Sequence, residues 1–305
     1  MPSIQLLQRK IHTAQELQAV VKMMKVLAAL NIHQYEQAVT SLAEYNHTIE
    51  MALHVVLKAT HERQGAGRTE QGRQIWGLDT PTLPSTSCGV IIFGSDQGMC
   101  GQFNEQISRY AIAELEKLNI SPEQLAIFAV GSRIISHLET AGYAIKQTFP
   151  MAGSLTEITS MVQEILLQIA EWRDSQQIVR IFLFYNHLHS NTLCEPYKLQ
   201  LLPLDRRWLQ HIESKKWRSR TLPTFTMPSD VLIASLLRQY FFILLYRAFG
   251  ESLAGENASR LASMQVAEKN IAERLTEFTS QFQQQRQTAI TDELLEITSA
   301  FELSH

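Results

Sequence analysis

A long antiparallel coiled coil, made by the two ends of the chain and joined to a central Rossmann-like α/β domain, is the architecture this sequence predicts. Three observations carry it. The N-terminal stretch keeps an apolar repeat at alternating steps of three and four residues, the C-terminal stretch is free of proline after Pro228, and strand-like and helix-like patterns alternate between them. The corresponding division is 1–64 for the N-terminal coiled-coil helix, 80–222 for the α/β domain and 229–305 for the C-terminal coiled-coil helix.

The first element follows from a seam that starts at Ile4 and runs Leu7, Ile11, Ala14, Gln18, Val21, Lys25, Ala28, Ile32, Tyr35, Val39, Leu42, Asn46, Ile49, Leu53, Val56. Gln18, Lys25 and Asn46 break it, and neither proline nor glycine lies between Ser3 and Gln64. A narrow stripe of period 3.5 is a coiled-coil signature, and at about 1.5 Å per residue the helix would reach on the order of 80 Å. At the other end, Ser229 or Asp230 after Pro228 supplies a helix start. Gly250 and Gly255 in this helix predict close packing against a neighbour, or a kink. A seam then reappears as Leu261, Met264, Ile271, Leu275, Phe278 and Phe282, and again as Ile290, Leu294, Ile297 and Phe301. The two helices pair most simply with each other, antiparallel.

Between them "TPTLPSTS" (80–87) is a breaker. Strands are predicted at 88–94, 125–131, 143–149, 178–188 and 195–204, and helices at 104–118, 132–142 and 154–173. The basic stretch "DRRWLQHIESKKWRSR" (205–220), with Trp208 and Trp217 interleaved, reads as a solvated loop or linker, with nucleic acid or an acidic surface as the alternative partner.

Composition narrows the function classes. The chain has 305 residues, 45% hydrophobic and 19% charged, with a net charge of -3. That fits a folded protein and gives no general pull toward nucleic acid. Cys88, Cys100 and Cys194 are spaced too widely for a zinc half-site or a redox pair, and free thiols are expected. The N-terminus turns polar within a few residues, unlike a signal peptide. The apolar run 231–245 carries Arg238 and Gln239 at its centre, so a buried helix is expected there and not a membrane span.

"IIFGSDQGMCGQFN" (91–104) has the look of a phosphate cradle. Its glycines, Gly94, Gly98 and Gly101, do not have dinucleotide-binding spacing, no Lys-Ser/Thr follows them, and no cation lies between Gly94 and Arg109. A tight turn is expected instead, with Asp96 capping local amides and Gly98 or Gly101 at positive φ. His187 and His189 lack a third ligand in reach, so no metal, cofactor or catalytic residue is assigned.

Four collinear stretches then point to a family. "VVKMMKVLAA" (20–29), "GSDQGMCGQFN" (94–104), "ESLAGENASRLASMQVAEKN" (251–270) and "RQTAITDELLEITSA" (286–300) resemble, in order, motifs of the gamma subunit of F-type ATP synthase. "QYEQAVTSLAEYN" and the lack of a long insertion after residue 200 resemble bacterial forms and the alternative, sodium-associated branch. The paired cysteines of the redox-switched chloroplast form are missing, so thiol regulation is not expected. The resemblance implies a non-catalytic central rotor. Its coiled coil would turn inside the hexamer of alpha and beta subunits, and its foot would hold the epsilon subunit and rest on the membrane c-ring. The implied location is peripheral, at the cytoplasmic face of a bacterial inner membrane or at a thylakoid membrane, and membrane-associated through the complex alone. The resemblance further implies hexamer contacts at Met24, Lys25, Arg286, Gln287, Thr291 and Glu293, Lys25 being otherwise a solvated break in the seam. It implies a ring contact at Phe225 and Thr226, where the family's acid is absent. Ser299-Ala300 stands where the family has Gly-Ala. Two other readings remain open beside it: a nucleotide-binding α/β enzyme with helical dimerisation arms, and a plain coiled-coil scaffold.

Overall fold

The computed structural model describes residues 4–63, 87–118, 120–176, 178, 180–190, 193–215, 217 and 223–302. The breaker stretch 80–86 and Phe225's neighbours 218–222 lie outside these residues. In chain order the elements are α1 (Ile4–Arg63), β1 (Cys88–Phe93), α2 (Phe103–Lys117), β2 (Leu125–Val130), α3 (Ile135–Thr140), β3 (Ile145–Phe149), α4 (Leu155–Gln176), β4 (Arg180–Ser190), β5 (Leu193–Leu202), α5 (Arg206–Ser214) and α6 (Ser229–Glu302). The chain forms two compact units, one of residues 1–30 with 260–305 and the other of residues 31–259.

The larger unit is built on a sheet ordered β3-β2-β1-β4-β5. β1 runs parallel to β2 and β4, β2 runs parallel to β3, and β5 is antiparallel to β4. This is the doubly wound, Rossmann-like order, reversing direction between β1 and β4. Its strands β1 and β2 are buried along their length because both faces of the sheet are covered there. Ile91, Phe93, Phe128, Val130, Leu183 and Tyr185 join a core with α4 and with the parts of α1 and α6 in this unit. Val90, Ile92, Ile127, Ala129, Phe182 and Phe184 face the other way, onto α2 and α3.

α6 is, among the described residues, the one helix long and apolar enough to cross a membrane. Its apolar run instead packs on the sheet core, through Ile233, Leu236, Leu237, Tyr240, Phe241, Ile243 and Leu245. The two helix glycines are explained by close approach. A Cβ on Gly250 would lie 2.6 Å from Val39 Cγ2, and one on Gly255 would lie 2.5 Å from Cys194 Sγ.

One expectation fails in this unit. Arg206–Ser214 of the basic stretch is a helix, not a solvated loop, and its residues 216 and 218–220 lie outside the described residues. Asp205 caps it by accepting the Arg207 amide at 2.8 Å, as N-cap carboxylates do. Trp208 stacks on Tyr240 at 4.3 Å, and Ile212 is fully buried. The His54 Nδ1–H donates to the Ile212 carbonyl at 2.7 Å, and Trp217 stacks parallel to the His54 ring. The two tryptophans interleaved with the basic residues are anchors into the body, not stacking platforms for bases.

In the smaller unit the N-terminal part of α1 pairs antiparallel with the C-terminal part of α6. Lys10 lies 5.5 Å from the Phe278 ring centre, and Lys25 meets Glu268 at 2.5 Å. Burial follows the seam: Leu7, Ala14, Val21 and Ala28 are buried, while Ile4, Ile11, Gln18 and Lys25 are half-buried. On α6, Met264 is buried and Leu261, Ile271, Leu275, Phe278 and Phe282 are half-buried. The second predicted seam behaves differently, because Ile290, Leu294 and Ile297 are exposed, at 47%, 59% and 61%. In the register set by Lys10 and Phe278 these residues lie beyond Ile4, and among the described residues they meet no partner helix.

Candidate functional site

The opening question for this fold is whether the crevice at the carboxyl ends of its strands holds a ligand, since doubly wound sheets bind there. The Gly94–Asn104 loop follows β1 at these strand ends and is bonded there by the chain's own groups. Asp96 accepts the Ser132 amide at 2.7 Å through one oxygen and the Met151 amide at 2.6 Å through the other. It therefore ties the loop after β1 to the loops after β2 and β3. Both amides are held by the chain's own carboxylate. A third amide, that of Ser95, is taken by Asn104 Oδ1 at 2.9 Å, while Asn104 Nδ2 donates to Ser95 Oγ at 2.8 Å. Asp96 caps amides as expected, but amides distant in sequence.

Backbone conformation is also redistributed. Gly101 has φ 57°, as the turn requires, but the other positive φ in the loop, 63°, belongs to Met99 and not to Gly98. Gly131 approaches the loop so closely that a Cβ would lie 2.8 Å from the Ser95 amide nitrogen. The loop is anchored on its other side by Ser259 Oγ, which donates to the Cys100 carbonyl at 2.6 Å. Cys100 is 3% exposed and packed against Ser95 and Asn104. His187 donates from Nδ1 to the buried Glu251 carboxylate at 2.7 Å, which Arg247 also holds at 2.5 Å. Among the described residues no group of three metal-ligating side chains comes together.

The smaller unit offers a different kind of surface. Leu17, Val20, Met23, Val26, Leu27 and Leu30 on α1 are 51–62% exposed. Between Leu17 and Leu30 the charged residues are Lys22 and Lys25. Isolated exposed apolar side chains are ordinary, but a contiguous row marks an interaction surface. These residues are not seam positions; a second apolar stripe offset from the first is the signal in the sequence that reveals them.

The residues implied by resemblance fall as follows. Met24 is half-buried. Lys25 does not project freely, since it bonds Glu268 on the paired helix. Its ammonium, chiefly by that hydrogen bond, holds the Glu268 carboxyl below the usual carboxylate range. Arg286, Gln287, Thr291 and Glu293 are all exposed on α6. Thr291 Oγ1 donates to the Gln287 carbonyl at 2.9 Å. Arg286 and Glu293, seven residues apart, share one helix face. Phe225 is half-buried on the sheet core, and Thr226 is exposed. The structure brings Met24 and Lys25 together on one helix and the other four hexamer candidates together on the far part of another.

The fold is thus a doubly wound body with a pair of long helices that carry an outward apolar row. A family model described as ATP synthase matches residues 3–302, and the chain belongs to that family. It is 26% identical over 300 residues to a protein called ATP synthase gamma chain from Buchnera aphidicola subsp. Diuraphis noxia, with 97% of each chain covered. Its fold is similar to a chain of the Euglena gracilis mitochondrial ATP synthase OSCP/F1/c-ring structure. That match has TM-score 0.60 at 16% identity and covers 99% of this chain and 94% of the other. It is also similar to a chain of the Tetrahymena thermophila mitochondrial ATP synthase central stalk/c-ring structure. There the TM-score is 0.55 at 18% identity, with 81% and 99% covered.

Proposed function

We infer that this chain is the central rotor, the gamma-type subunit, of an F-type ATP synthase, and that it does no chemistry itself. The carrying observation is the row Leu17–Leu30: large apolar side chains turned outward on paired helices suit a shaft inside a protein sleeve and are costly in water. The reading is supported by the whole-length family match and by the glycine loop after β1, whose Asp96 is spent on the chain's own amides. In this reading the segments 1–64 and 229–305 are the shaft helices, and their paired ends, 1–30 with 260–305, turn inside the alpha and beta hexamer. The segment 80–222 is the foot that holds epsilon and meets the c-ring. The chain is peripheral, at the cytoplasmic face of a bacterial inner membrane or at a thylakoid membrane.

The mechanism is a population shift. Each catalytic site of the hexamer has conformations of different nucleotide affinity, and a shaft that contacts them differently shifts which one is occupied. The faces around α1 and α6 differ: one carries the apolar row, another the Lys25–Glu268 pair, and the far part of α6 carries Arg286, Gln287, Thr291 and Glu293. Rotation presents these in turn. Arg286 suits a hexamer contact because its planar guanidinium can bridge carboxylate and carbonyl oxygens, and among the described residues it makes no ion pair. Lys25 is assigned a hexamer contact that it shares with Glu268. Phe225 and Thr226 are assigned to the ring. Proton or sodium coupling resides in ring subunits, not in this chain.

Co-expression with the alpha and beta subunits tests this. The three should purify together, with ATP hydrolysis that depends on this chain, and Arg286→Ala and Lys25→Ala should lower the hydrolysis coupled to rotation. A chain that stays apart from the hexamer and binds ATP or NAD tightly by itself would support the dimerising-enzyme alternative.

A further inference from the structure

Within the larger unit, α6 is buried at every position of residues 248–258. At 3.6 residues per turn that is about three turns enclosed on all sides. A helix buried all round is ordinarily apolar all round. This one is not, because Glu251, Ser252, Glu256 and Asn257 lie inside the stretch, none more than 6% exposed.

The walls meet the helix on two flanks. On one, a Cβ on Gly250 would come within 2.6 Å of Val39 Cγ2 on α1, and Asn257 Oδ1 accepts from Asn31 Nδ2 of α1 at 3.4 Å. The other flank is Glu251, Gly255 and Ser259, at spacings of four. Glu251 is hydrogen-bonded to His187 of β4 at 2.7 Å, and Arg247 holds its second oxygen at 2.5 Å. Gly255 backs onto β5 so closely that a Cβ would lie 2.5 Å from Cys194 Sγ. Ser259 Oγ donates to the Cys100 carbonyl of the glycine loop at 2.6 Å. That loop is tied in turn to β4, since Asn186 Nδ2 donates to the Phe103 carbonyl at 3.3 Å. At about 100° per residue the two flanks stand roughly 150° apart around the helix.

We propose that residues 248–259 of α6 are a torsional clasp, the place where the body grips this helix so that turning one turns the other, with Glu251 and Ser259 as the keys that resist slip. The inference rests on the rotor reading above and adds to it the residues through which the turning force passes. Apolar burial is non-directional, so a smooth apolar collar would set little resistance to rotation about the helix axis. Hydrogen bonds are directional. Rolling α6 in its collar would break the bonds of Glu251 and Ser259 and drive neighbouring side chains into Val39 and Cys194, which only glycine now accommodates. Because α6 runs unbroken over Ser229–Glu302, a twist fixed at the clasp is handed along the same helix.

The test uses the assembled, ion-translocating complex in sealed vesicles, after wild-type assembly and pumping have been measured. The readout is the membrane potential built per ATP hydrolysed, followed with a voltage-sensitive dye that reports either coupling ion. Glu251→Gln combined with Ser259→Ala should lower that ratio several-fold. The variant should assemble in normal amount, and hydrolysis by the hexamer detached from the membrane should stay near wild type, because a detached shaft turns without load from the foot. Ser259→Thr, which keeps the hydroxyl, should hold the wild-type ratio. If the double variant does not assemble, Ser259→Ala alone must still lower the ratio. A wild-type ratio in the variant that assembles, an equal loss in Ser259→Thr and Ser259→Ala, or a loss of detached hydrolysis that matches the loss of pumping would each overturn the proposal. Failure of the wild-type chain to join the hexamer would instead overturn the rotor reading itself.

Discussion

Asp96 concentrates much of the larger unit's organisation in one side chain. Its two oxygens each hold an amide from a different loop, at 2.7 and 2.6 Å. Asp96→Ala leaves the Ser132 and Met151 amides without their acceptor, so a loss of about 2–4 kcal/mol is expected in urea unfolding. Asp96→Asn keeps one acceptor oxygen and should lose less. The cysteines give a second prediction. Burial pushes the Cys88 thiol up to about 12 against the lowering pull of Arg180 and Lys198, and pushes Cys194 up to about 12 with Glu195 adding to it. The thiolate is the reactive form. Alkylation of these two at pH 8 should be far slower in the native chain than in denaturant, and rapid native labelling would contradict their packing. At this scale the sequence announced that Asp96 would cap amides, because a short acid in a turn has few other uses. It could not announce which amides, since Ser132 and Met151 are brought near by strand pairing alone.

The long helices show how far periodicity carries. Every seam position from Ile4 to Val56 is buried or half-buried, so the pattern of threes and fours was legible residue by residue. The second C-terminal seam was equally regular and is exposed, because periodicity states that a face is apolar and not what covers it. Helix α5 was missed for the converse reason: its charges dominate a short window, while its burial is spent on Trp208 and Ile212 against partners far away in sequence. Gly250 is a direct test of helix approach. Gly250→Val places branched carbon against Val39 Cγ2, which a Cβ alone would reach at 2.6 Å, and an overpacking cost of about 1–3 kcal/mol is expected.

Across the shaft helices, the Lys25–Glu268 pair makes stability depend on pH with a definite sign. The Glu268 carboxyl lies below its ordinary range when folded. Its contribution is therefore present above the unfolded value and is lost as pH falls through the folded one. Acid unfolding of the wild-type chain between neutral pH and pH 3 should be steeper than that of Glu268→Gln; superimposable curves would remove the pair from the account.

At the scale of the whole molecule the two units differ in how they are held. The larger is a sheet covered on both faces, with β1 and β2 buried along their full length. The smaller buries a narrow seam and exposes much of the rest. Amide exchange should follow suit, with residues 4–30 and 260–302 exchanging faster in the isolated chain than β1, β2 and β4, and with protection of the former rising on assembly. The sequence by itself determined the paired long helices, the alternating body between them and the family, because each rests on local periodicity or on short collinear motifs. Tertiary structure alone decided that the glycine loop is closed by Asp96, that α5 is strapped onto the body, and that an apolar row faces outward from the paired helices. Each of these depends on which side chain finds which partner across long separations in the chain, a matter of packing on which a linear pattern is silent.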